Sequence, residues 1–261
     1  MIVTVTAYKR PELLSRCLEF IVTADVSPVS HVCISCDWHS NEMYDRMFVA
    51  CHNILPRNFP FTITKHDKRL GVANHPRWVF NRNYTDDAIC ALEEDTIVSP
   101  DCFTFADWAL RQPGYQFVNL APGPNFSHQP KIFGGLHDND FEFVHEDWEL
   151  RSPYGWAFTP AFWRELEPQW NGKIREPYGW DWQLSHLCYR EGYRCLTPEV
   201  ARVYNTGREN GTYDTPGNWD ATQRDVVLCQ AAPCSIQYKL ITHQRPEPEN
   251  WPEWVKFEVR P

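Results

Sequence analysis

The chain predicts an α/β protein built on a mostly parallel central sheet. Strand-period apolar runs alternate with helical stripes through roughly the first hundred residues, at a spacing that suits right-handed crossovers. Two of these runs also end in acids. The fourth, Ala88-Ile89-Cys90-Ala91-Leu92-Glu93-Glu94-Asp95-Thr96, is the clearer case. It reads as a buried strand whose carboxyl end delivers carboxylates to the sheet edge, where open α/β sheets bind ligands. Hard oxygens there suit Mg²⁺ or Mn²⁺, and such an ion can clamp a diphosphate. Three acids can equally end a strand in a solvated turn, and residue type leaves both readings open.

Residues 2–7 alternate Ile, Thr and Val. Pro11 opens a helix at the first-turn position, where its missing N–H costs nothing. Leu13, Leu14, Cys17, Leu18 and Ile21 fall on one stripe of that helix. A second strand, His31-Val32-Cys33-Ile34-Ser35-Cys36-Asp37, also ends in an acid. A helix over 40–54, a strand at Phe61-Thr62-Ile63-Thr64 and a helix over about 72–83 lead to the acidic run. No G-x-G-x-x-G follows the first strand, which argues against a Rossmann dinucleotide site. Beyond about residue 105 prolines and aromatics become dense and the stripes shorten. Pro153-Tyr154-Gly155-Trp156-Ala157-Phe158 is a glycine turn in an aromatic cluster, and Tyr178-Gly179-Trp180-Asp181-Trp182-Gln183 leads into a helix at 184–189. Residues 205–218, rich in Gly, Asn, Thr and Asp, read as a mobile loop. The tail from Arg245 has little periodicity.

With 261 residues the chain forms one large domain or two small ones. Its 12 Trp and 21 Pro suggest aromatic surfaces in a loop-rich second half. A net charge of −9 gives no general attraction to nucleic acid or anionic membrane. No apolar run approaches the roughly 18 residues of a membrane span. Met1-Ile2-Val3-Thr4-Val5 enters a strand without signal-peptide regions, so a cytoplasmic location is expected unless a targeting segment preceded it. Most of the ten Cys sit in apolar runs as buried thiols, and the single Cys33-x-x-Cys36 lacks the second pair of a zinc site.

Taken in order, these pieces resemble a GT-A glycosyltransferase, a Rossmann-like nucleotide-diphospho-sugar transferase fold. They are most similar to the inverting β-1,2-N-acetylglucosaminyltransferase I family and its relative acting on O-mannose. The resemblance runs from about residue 2 to 215. Its strongest segment is Leu92-Glu93-Glu94-Asp95-Thr96-Ile97-Val98-Ser99-Pro100-Asp101-Cys102-Phe103. That segment resembles the family's Glu-Asp-Asp metal motif with its trailing Val-Ala-Pro-Asp-Phe-Phe. Glu94 stands where the family has Asp. Val5-Thr6-Ala7-Tyr8-Lys9-Arg10 is similar to the first strand and its nucleotide arginine. Ile34-Ser35-Cys36-Asp37 is similar to the strand whose Asp accepts from uracil, and Asn74-His75-Pro76-Arg77-Trp78 to the segment whose histidine touches uracil. Gly155-Trp156, Trp163-Arg164-Glu165-Leu166-Glu167-Pro168 and Gly179-Trp180-Asp181-Trp182 resemble the acceptor-side motifs. Residues 195–202 with Gly207-Arg208 resemble the segment leading into the donor-covering loop.

The resemblance implies Asp95 as metal ligand for Mn²⁺ or Mg²⁺ and Asp181 as general base. It implies Arg10, Asp37, His75, Glu93, Glu94 and Arg208 at the UDP-sugar; Trp156, Trp180 and Trp182, as tryptophans beside glycine turns, are the candidate acceptor platforms. The plain readings remain open beside it: Asp181 as helix N-cap, Asp37 as strand-end turn former, His75 as a satisfied core histidine, the tryptophans as core. Residues 1–104 are then the nucleotide-sugar half, 105–218 the acceptor and catalytic half of the same domain, and 219–261 a surface-wrapping tail. The expected activity is metal-dependent, inverting transfer from a UDP-sugar, GlcNAc-like, to an acceptor hydroxyl. The acceptor classes are a glycan, a protein or small-molecule hydroxyl, or a hydroxymethylated base in phage DNA, in a bacterial or viral setting. A non-catalytic carbohydrate- or nucleotide-binding module of the same fold is the alternative.

Overall fold

A computed structural model of the chain describes residues 1–83, 85–122, 141–170, 180–207, 228–229 and 236–245, the side chains of Phe141 and Trp182 excepted. The first half follows the expected alternation: β1 (Ile2–Ala7), α1 (Pro11–Thr23), β2 (His31–Cys36), α2 (Asn41–Ile54), β3 (Phe61–Lys65), α3 (Asn74–Arg82) and β4 (Ile89–Glu93). β1 is the hub, pairing in parallel with β2 through Val5 and Ile34 and with β4 through Val5 and Leu92. A strand flanked and covered on both faces is apolar almost throughout, and in β1 every residue but Thr6 is buried. Pro11 opens α1, whose Leu14, Cys17, Leu18 and Ile21 face the sheet. Ser40 caps α2, its hydroxyl accepting from the Met43 N–H at 3.2 Å.

The second half comprises β5 (Thr96–Val98), α4 (Cys102–Leu110), β6 (Phe117–Asn119), β7 (Phe141–Asp147), β8 (Gly155–Phe158), α5 (Pro160–Leu166), α6 (Trp180–Glu191), β9 (Cys195–Pro198), β10 (Val203–Asn205) and β11 (Gln237–Ile241). Among the described residues nine strands form one sheet in the order β11-β7-β9-β6-β8-β4-β1-β2-β3. Most pairings are parallel, but β8 runs antiparallel to both β4 and β6. Its first residue, Gly155, therefore lies beside Leu92 near the end of β4. The Glu93 N–H donates to the Tyr154 carbonyl at 3.2 Å, which draws the turn before β8 to the acidic strand end. β5 and β10 form a separate antiparallel pair. β11 falls inside the stretch expected to wrap the surface as a tail; instead it extends the sheet in parallel with β7.

Among the described residues two large apolar clusters fill the layers, beside a small one at Val200, Cys229 and Ile236. One lies between the parallel strands, α1, α2 and α4; the other, rich in aromatics, joins α3, β8, α5 and α6. Behind the sheet, fully buried Arg202 donates from Nε to Asp101 at 2.9 Å and from Nη2 to Glu142 at 2.5 Å, with Phe105 facing its guanidinium. The nine described cysteines are all buried. No helix among the described residues is long and apolar enough to cross a membrane.

Candidate active site

The carboxyl ends of β1, β2 and β4 converge, and the side chains they deliver carry the candidate chemistry. Past β4, Glu94 and Asp95 are both buried. Arg10, reaching back from the start of α1, donates from Nε to Glu94 Oε1 at 2.7 Å and from Nη1 to Asp95 Oδ2 at 2.8 Å. The Tyr8 N–H donates to the same Glu94 oxygen at 3.1 Å. This accounts for glutamate at the middle position, whose longer arm spans to both Arg10 and the β1 backbone. Burial works to discharge Arg10, but Glu94 and Asp95 hold it more firmly charged than an ordinary arginine. Glu93 is pushed well above the usual carboxylate range, first by burial, then by Asp95 and Glu94, with a further contribution from Asp181. Asp181, in the first turn of α6, therefore lies within electrostatic reach of the acidic strand end.

From the far side, the chain after β10 closes on Asp95. Thr206 donates to the Asp95 carbonyl from its N–H at 2.6 Å and from its hydroxyl at 2.9 Å. The backbone at Gly207 then comes so near that a Cβ there would stand 2.3 Å from Asp95 Oδ2. Only glycine permits that approach. Arg208 lies outside the described residues, as do 209–218 of the expected loop.

At the end of β2, Asp37 accepts three backbone N–H groups: Trp38 at 2.9 Å, Leu70 at 2.7 Å and Gly71 at 2.9 Å. The carboxylate thus clamps the turn that leads into α3, with Gly71 at φ 82°. Its own N–H donates to the Ala7 carbonyl at 2.9 Å, tying this corner to the Tyr8 loop. His75 is buried on α3, and its Nε2 meets Ser35 Oγ at 2.8 Å. The same hydroxyl meets His66 Nε2 at 2.9 Å. With one proton to give, Ser35 donates to one ring and accepts from the other. Burial pushes His75 down to about 4 against the pull of Asp37, and it lowers His66 as well, so both links of this chain are neutral at pH 7.

Three of these features escape the sequence reading: His66, the Leu70–Gly71 turn, and an aromatic–cation group at Tyr8. The Arg69 guanidinium lies 4.8 Å and Lys9 Nζ 5.3 Å from the Tyr8 ring centroid. Lys9 adopts φ 54°, a left-handed backbone uncommon for a lysine. The available signal was the density of basic residues just past two strand ends.

The tryptophans require a correction. Trp156 is 1% exposed, enclosed by Phe80, Phe117, Phe158 and Phe162, so it is core and offers no face to a sugar. Trp180 is also buried, stacked at 5.3 Å on Trp170. Trp182's side chain lies outside the described residues.

The donor set at the strand end is carboxylate oxygen, the chemistry Mg²⁺ and Mn²⁺ prefer. Among the described residues no three His, Cys, Asp or Glu side chains are grouped to hold a metal. The arrangement fits a hard ion bound by one or two carboxylates and completed by substrate phosphates, and does not form a closed cage.

No protein-family profile matches the chain. Solved structures do. A mannosyltransferase from Pyrobaculum calidifontis, solved with GDP-Man and Mn²⁺, superposes with a TM-score of 0.57 at 15% identity, over 80% of this chain and 58% of its own. S. aureus TarS, residues 1–349 with UDP-GlcNAc, gives 0.56 at 11% identity over 84% and 63%. GalNAc-T7, solved with UDP, GalNAc and Mn²⁺, gives 0.55 at 10% identity over 78% and 43%. The chain therefore has the GT-A fold, and it spans less than two thirds of the length of each of these proteins.

Proposed function

We propose that the chain is a metal-dependent, inverting glycosyltransferase that moves a sugar, GlcNAc-like, from a UDP-sugar to an acceptor hydroxyl. The observation that carries this reading is the meeting of Arg10, Glu94 and Asp95 at the sheet edge. The narrower likeness to the N-acetylglucosaminyltransferase I family belongs to the same proposal.

In this reading Asp95 holds Mn²⁺ or Mg²⁺ together with the donor diphosphate. That ion, when bound, offsets the charge growing on the leaving group. Arg10 and Arg208 bind phosphate oxygens. Asp37, whose Oδ2 can still accept, reads the uracil N3–H, supported by neutral His75 behind Ser35. Asp181 removes the acceptor proton on the face opposite the diphosphate, and Trp182 beside it is the remaining candidate acceptor platform. The 205–218 segment, anchored on Asp95 by Thr206, keeps water from the donor.

The test combines a hydrolysis and transfer screen over UDP-sugars with the variant Asp181→Asn. Turnover should fall roughly 10²–10⁴-fold, the usual cost of losing a general base. UDP affinity should stay within about threefold, because shape is preserved. Product anomers read by NMR should be β from an α-linked donor. Near-normal turnover in the variant, or an α product, removes Asp181 from the mechanism; no turnover of any nucleotide sugar favours a binding module.

A further inference from the structure

Arg10 occupies the carboxylate that the proposed function assigns to a metal. Its Nη1 sits on Asp95 Oδ2 at 2.8 Å, while Gly207 closes on that same oxygen from the other side. Its Nε sits on Glu94, an oxygen already steadied by the Tyr8 N–H. A guanidinium and a divalent cation drawn to one buried carboxylate repel each other, and the low dielectric sharpens the repulsion. The arginine arm is long, its side chain remains 15% exposed, and it springs from the residue just before α1. Such an arm can exchange one anionic partner for another without moving the backbone.

We propose that Arg10 is the resident counter-ion of the acidic strand end and gates metal entry. In the empty protein it neutralises Glu94 and Asp95. On donor binding the guanidinium transfers from Asp95 to the diphosphate oxygens, which match its fork bidentately. Asp95 is then released to the ion that accompanies the diphosphate. Nucleotide and metal thereby bind with positive coupling, to which Arg10 adds beyond the phosphate ligands the two share. This rests on the nucleotide-sugar reading and specifies how its metal site is controlled.

Mn²⁺ binding, followed by the loss of the free-ion EPR signal, tests this without turnover. Wild-type protein should bind Mn²⁺ weakly alone and at least about tenfold more tightly with UDP. A neighbouring cation changes a carboxylate's proton affinity by roughly 10- to 1000-fold, which sets the scale. Arg10→Met should bind Mn²⁺ alone about tenfold more tightly than wild type and show a correspondingly smaller gain from UDP. Arg10→Lys, which keeps the charge but cannot bridge two carboxylates, should fall between them and carries the test if the Met variant does not fold. Unchanged or weaker Mn²⁺ binding by the variants, with UDP–Mn²⁺ binding intact in wild type, overturns the gate alone. Absence of Mn²⁺ binding to wild type even with UDP overturns the metal reading and the gate with it.

Discussion

Arg10 and Arg202 each clamp one glutamate and one aspartate, yet they stand in opposite surroundings. Arg202 is sealed at 0% exposure between Glu142 and Asp101, with a further N–H taken up by the Val200 carbonyl at 2.6 Å. Arg10 holds Glu94 and Asp95 at the lip of the sheet. The first arrangement has nothing left to bind; the second presents its charges where a ligand can compete for them. Composition alone does not distinguish a structural lock from a working site. A third arginine, Arg151, sits between Asp147 and Glu149 and is about as exposed as Arg10.

The sharpest break of this comparison is Arg202→Met. It strands two buried carboxylates and should cost about 3–5 kcal/mol in urea denaturation. Arg10→Met also strands two buried carboxylates, but its own side chain is 15% exposed where that of Arg202 is 0%, so it should cost less than Arg202→Met. Equal losses would erase the distinction. Next comes Gly155→Ala. Its methyl would meet Val203 Cγ2 at 2.7 Å and push β10, whose continuation carries Thr206 and Gly207 onto Asp95. Overpacking of this kind costs about 1–3 kcal/mol, and nucleotide affinity should fall with it. Smaller still is the effect at the surface. Arg77→Ala, which removes a pair with half-exposed Glu167, should cost about 0.5–1 kcal/mol, and Arg46→Ala beside exposed Glu12 less than that.

The third cluster gives a pH signature. Burial raises Glu149 to about 7 from its ordinary 4.5, against the pull of Arg151. The folded state then binds a proton more readily than the unfolded chain between those values, so this residue lowers stability as pH rises from 4.5 toward 7 and fully above it. Comparing urea midpoints at about pH 5 and about pH 8, on either side of that shift, Glu149→Gln should show a smaller drop than wild type. An identical drop would place the titration elsewhere.

The strand and helix order of the first half was legible because each element carries its own periodicity and punctuation: Pro11, Ser40 and the acids after Leu92. The acidic end and Arg10 were legible for the same reason, as both sit at strand ends. The antiparallel insertion of β8 was not, since four apolar residues carry no mark of direction. Nor was β11, whose exposed edge lacks an apolar period. At the site, Asp37's hold on Leu70 and Gly71 joins segments far apart in the chain through backbone groups that sequence does not display. Trp156 misled because a tryptophan beside a glycine turn looks alike whether the aromatic shell around it is closed or open; only the arrival of Phe80 and Phe117 decides.

The reversed strand β8 also bears on how the chain assembles. β1, β2 and β3 pair with their neighbours in sequence, so they can form through local units as the chain emerges, whereas β4 crosses back to pair with β1. β4 has one open side until residues 155–158 arrive to cover it, and β6 reaches β4 only through them. Closing the long loops of the β1–β4 and β4–β8 pairings is slow compared with forming local helix–strand units. β1–β3 should therefore organise first, and β4, once paired with β1, exposes an unpaired hydrophobic edge until β8 arrives, which makes that strand the point where a slowed or truncated chain would aggregate.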